Sequence, residues 1–188
     1  MIFRKAESNE AEKISPFLML AMKDIVYRFI GEESEVKAQQ FLTDLIAQKA
    51  NQYSHENCWI VELNDEIAAV AVVYDGAMLH ELRMPVASYI KARFDRDFTP
   101  EDETHSGECY IDCISVIPRH QGKGIGSQLL HFLIDEYVNK CRITLGLLVD
   151  KDNPSARKLY FKMGFEVAGT KILTGKTMDH LQIKYKAN

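Results

Sequence analysis

The chain has 188 residues, of which 46% are hydrophobic and 27% are charged, and its formal net charge is −4. This negative charge argues against a nucleic-acid-binding protein, which usually presents a strongly basic face. No apolar run reaches the roughly 18 residues that a membrane span requires, and the charged start at Arg4 and Lys5 is unlike a signal peptide. We therefore expect one domain over residues 1–188, located in the cytoplasm.

The first fifty residues predict one strand and two helices. Residues 2–7 alternate weakly as a strand, and Ser15-Pro16 is typical of a helix N-cap followed by the first helical position. Apolar residues at three- and four-residue spacing continue this helix to Gly31. Ser34 begins a second helix, whose predicted apolar side carries Val36, Phe41, Leu42, Leu45 and Ile46.

A hairpin and an insertion follow. Residues 58–63 and 67–74 are apolar runs joined by Asn64-Asp65, a combination that predicts a β-hairpin. The insertion over residues 77–107 has apolar residues at helical spacing and predicts helical pieces broken at Pro85. It ends in an acidic loop at residues 95–104, where we expect irregular structure.

A glycine-rich loop lies between a predicted strand, residues 110–116, and a helix that begins near Ile125. Unpaired backbone N–H groups at a helix start carry partial positive charge, so this loop predicts an anionic ligand such as a phosphate. The dinucleotide fingerprint is excluded because Ser127 stands where its third glycine is required. The nucleotide P-loop is excluded because Thr170 stands where that motif, read at Gly175, needs its first glycine.

The remaining residues predict a buried strand at 142–149, a helix at 153–163, and two closing strands at 165–174 and 177–185. Strands and helices thus alternate along the chain. This alternation predicts an α/β protein with a mixed sheet flanked by helices.

Two motifs carry a family resemblance. Gln121, Gly124 and Gly126 form Gln-x-x-Gly-x-Gly after the predicted strand, and this spacing resembles the GNAT family of acyl-CoA-dependent N-acetyltransferases. Residues 152–165 resemble the second signature of that family, in which an Asn, an Ala and a Tyr recur on the next helix before Gly-Phe. The resemblance implies a GNAT-like fold with a mixed, mostly antiparallel central sheet flanked by helices.

The resemblance also implies that acetyl-CoA is the co-substrate. Its pantetheine arm would lie along the backbone of one strand, its diphosphate in the glycine-rich loop, and further contacts on the next helix. The expected residues are Ile114, Ser115 and Val116 on the strand, Gln121, Gly122, Lys123, Gly124, Ile125, Gly126 and Ser127 in the loop, and Asn153 and Ala156 on the helix. Asn153 before Pro154 is equally a good helix N-cap, and both roles are compatible.

Three residues are candidates for proton transfer. Tyr160 matches the position of the family's general acid, although a packed aromatic residue is the alternative interpretation. Glu108, Tyr110 and Asp112 alternate on the predicted strand and should share one side unless a bulge intervenes. We expect Asp112, which is nearer the pantetheine segment, to be the base, with Glu108 or a water molecule as alternatives.

The acceptor is predicted from charge alone. Acids of the insertion loop could attract a cation, so we expect a small amine acceptor such as a polyamine. The alternatives are a protein lysine or N-terminus, or a non-catalytic acyl-CoA sensor. The four cysteines lack paired spacing, so we expect no metal site. From the negative net charge and the lack of a long apolar run we expect no nucleic-acid or membrane partner, and we expect a monomer or homodimer.

Overall fold

The computed structural model, which describes residues 1–186, contains a seven-stranded sheet between two layers of helices. The strands in chain order are β1 (Ile2–Lys5), β2 (Cys58–Leu63), β3 (Glu66–Asp75), β4 (Glu108–Val116), β5 (Thr144–Asp150), β6 (Glu166–Leu173) and β7 (Lys176–Ile183). Their order in the sheet is β1-β2-β3-β4-β5-β7-β6. All neighbouring pairs are antiparallel except β4 and β5, which are parallel. The predicted fold class is confirmed.

The helices separate the core into two halves. They are α1 (Ala11–Ile30), α2 (Glu35–Ala47), α3 (Leu79–Phe94), α4 (Ile125–Leu133) and α5 (Pro154–Lys162), and α4 continues as wider π-helical turns to Lys140. The first three helices pack on one face of the sheet around Leu18 and Phe41, and α4 and α5 pack on the other around Leu129. None of the helices within residues 1–186 has the length and apolar character that crossing a membrane demands.

The start of α1 differs from the prediction. The helix begins at Ala11, so Ser15 is not its N-cap and Pro16 is its sixth residue. A 3-10 turn at Ser8–Glu10 precedes it, in which the Glu10 carboxylate accepts a hydrogen bond from the Glu7 N–H at 2.9 Å. Ser15 is instead buried against α2, where its Oγ accepts a hydrogen bond from Thr43 at 2.8 Å. The earlier turn therefore fixes the helix start, and the Ser-Pro pair was misleading.

Two further predictions about helices are wrong. Val36 is 80% exposed rather than on the buried side of α2, because Ala38 of the same turn faces the core and Val36, two residues earlier, lies on nearly the opposite side of the helix. The insertion forms one continuous helix, α3, that runs through Pro85 without a break. Apolar burial of Leu79, Val86 and Ile90 on both sides of the proline holds the two halves together.

The turns agree with the prediction. Asn64 and Asp65 have φ angles of 52° and 62°, the left-handed conformations that a two-residue hairpin turn needs. Gly31 ends α1 in the left-handed conformation, with a φ of 79°. Thr174 and Gly175 close the last hairpin, with φ angles of 51° and 78°.

Candidate active site

The site forms where β4 and β5 separate. The two strands pair only from Glu108 to Ile111 on β4 and from Thr144 to Leu147 on β5. Beyond these residues β4 stays paired with β3, and β5 stays paired with β7. A cavity of about 580 Å³ includes this opening, which is lined by residues 112–114 on one side and residues 148–150 on the other. The free edge of β4 therefore offers unpaired backbone groups to a ligand.

Asp112 is the extra residue of a β-bulge. Val72 on β3 lies opposite Cys113 and Val73 lies opposite Ile111, so Asp112 has no partner of its own. A bulge bends the strand and redirects its side chains, and it is placed here at the point where β4 leaves β5. Both Asp112 and Cys113 line the cavity.

A buried polar network surrounds the Asp112 carboxylate. Gln52 Nε2 donates to Asp112 Oδ2 at 2.8 Å, and the Tyr74 hydroxyl lies 3.1 Å from the same oxygen. Both groups also contact Glu103 Oε1, at 2.8 Å from Gln52 and 2.9 Å from Tyr74. Burial, followed by the charge of Glu103, raises the pKa of Asp112 to about 7. A carboxyl group with this pKa can accept a proton near neutral pH.

Arg83 ties the acidic loop to α3. Its guanidinium pairs with Glu103 and, at 2.9 Å, with Asp102, and it also donates to the Glu101 carbonyl oxygen at 2.7 Å. The Glu101 carboxylate accepts hydrogen bonds from the backbone N–H groups of Thr174 and Gly175 at 3.0 and 3.3 Å. The carboxylates of Glu101, Asp102 and Glu103 are thus engaged by protein groups rather than free to bind a cation.

Glu108 lies outside the cavity. Thr104 Oγ1 and Gln182 Nε2 donate to its two carboxylate oxygens at 2.7 and 2.8 Å, and His180 Nε2 lies 2.9 Å from Oε2. Burial raises its pKa, but the hydrogen bonds from these three residues outweigh burial and hold the pKa below the usual value. The structure therefore does not bring Glu108 together with the other two candidates for proton transfer.

Tyr160 lies on α5 and lines the same cavity as Asp112. Its ring packs against Phe165, with the ring centroids 5.9 Å apart. Burial, with a smaller contribution from the nearby Cys113 thiol, raises the pKa of Tyr160 to about 12. The phenol therefore stays protonated at neutral pH and can act as a proton donor.

The start of α5 confirms the helix-capping role of Asn153. Its side-chain oxygen accepts a hydrogen bond from the Ala156 N–H at 3.1 Å, and Pro154 is the first helical residue. Asn153 and Ala156 both line the cavity. Because the cap uses only Oδ1, the exposed side-chain amide keeps its N–H groups for a ligand.

The glycine-rich loop leaves the start of α4 open. Gly122 and Gly124 have φ angles of 74° and 79°, and Gly124 is the N-cap residue, with no side chain covering the first N–H groups. Gln121 Nε2 donates to the Val116 carbonyl oxygen at 2.9 Å and so ties the loop to the end of β4. A Cβ added at Gly126 would lie 3.4 Å from Val116 Cγ2, which places the helix close to the strand. This uncovered helix start fits a diphosphate.

The other expected cofactor contacts lie in the same region. Ile114 lines the cavity, and Ser115 is buried in β4. Ile125 is buried beneath the loop, and Lys123 is exposed on it. The Ser127 carbonyl oxygen lies 2.9 Å from Nδ1 of His131 within α4.

Sequence reasoning missed four site residues, namely Gln52, Tyr74, Arg83 and Cys113, and it assigned Glu103 to a loop that attracts a cation rather than to a buried pair. Arg83 alone left a readable signal. It shares the buried side of α3 with Leu79, Val86 and Ile90, and a charged residue on an apolar stripe requires a buried partner. The partner, Glu103, stands within an acidic run that resembles a solvated loop.

Comparison with known proteins agrees with this geometry. The sequence profile of the acetyltransferase (GNAT) family matches residues 23–165. A solved acetyltransferase structure is 30% identical, with a TM-score of 0.83, and the match covers 99% of this chain and 100% of that chain. The N-acetyltransferase from Staphylococcus aureus Mu50 is 18% identical, with a TM-score of 0.82 and coverage of 97% and 100%, and shows the same fold.

A curated relative gives a shorter match. The mycothiol acetyltransferase of Mycobacterium sp. (strain JLS) is 38% identical over 66 residues, which is 33% of this chain and 21% of that protein. The match thus spans about a fifth of the relative's length. The family profile and the full-length structural match carry more weight. The chain belongs to the GNAT family of acetyltransferases, whose members are acyl-CoA-dependent N-acetyltransferases.

Proposed function

We propose that the protein transfers an acetyl group from acetyl-CoA to the primary amine of a small cationic molecule. The observation that carries this proposal is that Asp112 and Tyr160 line one cavity at the opening between β4 and β5. Their pKa values, raised to about 7 and about 12, suit a proton acceptor and a proton donor respectively. A sensor that only binds acyl-CoA would need neither group.

The reaction follows from these positions as a direct attack in a ternary complex. The Asp112 carboxylate accepts a proton from the ammonium group, and the amine nitrogen then forms a bond to the thioester carbonyl carbon. Free backbone N–H groups of β4 support the developing oxyanion. The carbon–sulfur bond breaks, and the leaving thiolate takes the proton of Tyr160. The attacking nitrogen releases its second proton to form the amide, which restores the Tyr160 phenol through solvent, and Asp112 gives its proton to solvent.

Backbone groups supply most of the contacts in the proposed acetyl-CoA site. We propose that the start of α4, from Gly122 to Ser127, holds the diphosphate and that the β4 edge at residues 114–116 holds the pantetheine arm. Asn153 contributes its free amide N–H groups from the start of α5. This arrangement puts the thioester at the opening, between Asp112 and Tyr160.

The tip of the β6–β7 hairpin, at Thr174, lies at the edge of the cavity and favours a small acceptor over a protein. Glu101 binds the tip of the last hairpin, and Arg28 of α1 donates to the Thr174 carbonyl oxygen at that tip. A cavity of about 580 Å³ bordered by this tip is within the range of small-molecule sites. A lysine presented by a folded protein would have to displace these contacts.

A polyamine is the more specific form of this proposal. The acidic loop does not support it, because Asp102 and Glu103 already pair with Arg83. Asp24 and Asp150 also line the cavity, and Asp150 pairs with Lys176 at 3.2 Å, so we propose Asp24 as the partner of a second ammonium group. If the site binds a second ammonium group, a polyamine should have a lower KM than a monoamine of equal length. Equal KM values would show that the site recognises one amine only.

Thiol release from acetyl-CoA in the presence of an amine panel tests the function. The panel contains spermidine, a monoamine of matching length, an aromatic amine and a lysine peptide. We expect amine-dependent release with small primary amines and little with the peptide. Tight acetyl-CoA binding without release for any amine would favour the sensor, and preference for the peptide would favour protein acetylation.

A further inference from the structure

A second cluster of chemically active side chains lies outside the cavity, where the insertion loop meets the sheet. His105, Glu108 and His180 each present one donor atom, and these atoms all lie within 4.8 Å of one another. Glu108 and His180 are 1% and 4% exposed, whereas His105 lies on the exposed loop. The two imidazole rings are 5.6 Å apart and nearly perpendicular, at 87°. The chain separation of 72 residues between Glu108 and His180 hides this cluster from sequence patterns.

The buried pair already has the spacing of metal ligands. His180 Nε2 lies 2.9 Å from Glu108 Oε2. Two ligands on one tetrahedral zinc ion, each about 2.0–2.1 Å from the metal, lie about 3.3 Å apart, so a small outward shift would admit the ion. Thr104 and Gln182 donate hydrogen bonds to the Glu108 carboxylate and fix its orientation, as neighbouring residues commonly do for carboxylates that bind metals.

His105 is positioned to complete the set. Its Nδ1 lies 2.8 Å from the Ser106 carbonyl oxygen, and a hydrogen bond donated there leaves the Nε2 lone pair free to bind a metal. His105 lies on the exposed loop two residues before Gly107, whose φ of 100° is accessible mainly to glycine. The His105 backbone packs closely against Gly76, so the ring would close the remaining distance by rotation about its own side-chain bonds, starting from a donor atom already within 4.8 Å of the other two.

We propose that His105, Glu108 and His180 bind one divalent transition-metal ion, with zinc the best match to two imidazoles and one carboxylate. This donor set is a common zinc combination and leaves one position for water. The ion would join the insertion loop, through His105, to β4 and β7. His105 is two residues after Glu103 in the chain. The geometry of the cluster carries this proposal, and it does not depend on the acetyl-transfer reaction.

Metal titration of the full-length, metal-stripped protein tests the proposal. We expect one equivalent of Zn²⁺ by calorimetry and, with Co²⁺ as a probe, the visible absorption bands of a tetrahedral site. His105→Ala should weaken zinc binding by more than about 10-fold, because it removes a ligand while leaving the buried pair intact. Zn²⁺ should raise the Tm of the native protein and leave that of His105→Ala nearly unchanged.

Two control variants make the result specific. His131→Ala removes another exposed histidine whose Nδ1 lies 2.9 Å from a backbone carbonyl oxygen, and it should bind zinc normally. Cys141→Ser removes the exposed thiol and should also bind normally. No stoichiometric zinc binding by the native protein, or equal binding by His105→Ala, would overturn the proposal. Either result would leave the acetyl-transfer assignment untouched, since that is measured by thiol release.

Discussion

The proposed cofactor side and the proposed acceptor side of the cavity are built in different ways. The cofactor side uses backbone groups of one continuous stretch, residues 110–165, in which Gly122 and Gly124 keep a helix start uncovered. The acceptor side uses side chains that come from distant segments: Gln52 and Tyr74 contact both Asp112 and Glu103, and Glu103 pairs with Arg83. Recognition by backbone leaves a local spacing in the sequence, whereas a network of side chains leaves almost none.

The largest expected effect comes from a substitution on the acceptor side. Asp112→Asn removes the proton acceptor but keeps the side chain's size, so we expect kcat/KM at neutral pH to fall about 10²- to 10⁴-fold. Acetyl-CoA affinity, measured by calorimetry, should not change. Asp97→Asn is the matched control, because Asp97 is exposed and pairs with Lys91 at the surface. Native activity in Asp112→Asn would assign the base to water.

On the cofactor side, Tyr160→Phe removes one hydroxyl and keeps the ring packed against Phe165. We expect kcat to fall about 10²-fold with little change in acetyl-CoA affinity, because only the proton donor is lost. Tyr27→Phe, on α1 and outside the cavity lining, serves as the control. An unchanged kcat would make Tyr160 a packing residue only.

A smaller effect is expected in the glycine-rich loop. Gly124→Asp places a negative charge beside the proposed diphosphate site, so acetyl-CoA binding should weaken about 10-fold, and more at low salt than at high salt. Gly124→Ala imposes the same backbone strain without the charge. If the two variants bind acetyl-CoA equally at every salt concentration, the loop does not face a phosphate.

The smallest expected effect tests whether the charge of Glu103 raises the pKa of Asp112. The rate should rise with pH as Asp112, with its pKa of about 7, loses its proton. Glu103→Gln removes the negative charge that raises this pKa and leaves Arg83, which lowers it, so the acid limb of the pH profile should move to lower pH. Asp102→Asn, which contacts Arg83 but not Asp112, should move it less. If the acid limb of the pH profile stays at the same pH in Glu103→Gln, the charge of Glu103 does not influence the catalytic base.

The sequence predicted what local chemistry controls. The hairpin turn at Asn64 and Asp65, the helix cap at Asn153 and the fold class were all predicted correctly. The start of α1 was missed because a carboxylate at Glu10 competes with the Ser15-Pro16 pattern through contacts that no periodicity reveals. The acidic loop was misjudged because Arg83, which neutralises part of it, lies 20 residues away from Glu103 on another element.

The central claim is that acetyl-CoA and the amine are bound together when the acetyl group is transferred. Initial rates measured over a grid of acetyl-CoA and amine concentrations test it most directly. The alternative is a covalent intermediate on Cys113, which lines the cavity, although burial raises the pKa of its thiol well above the ordinary value and so disfavours the nucleophilic thiolate. We expect intersecting double-reciprocal lines and no acetyl group on the protein after incubation with acetyl-CoA alone. Parallel lines together with an acetylated Cys113 would contradict the account.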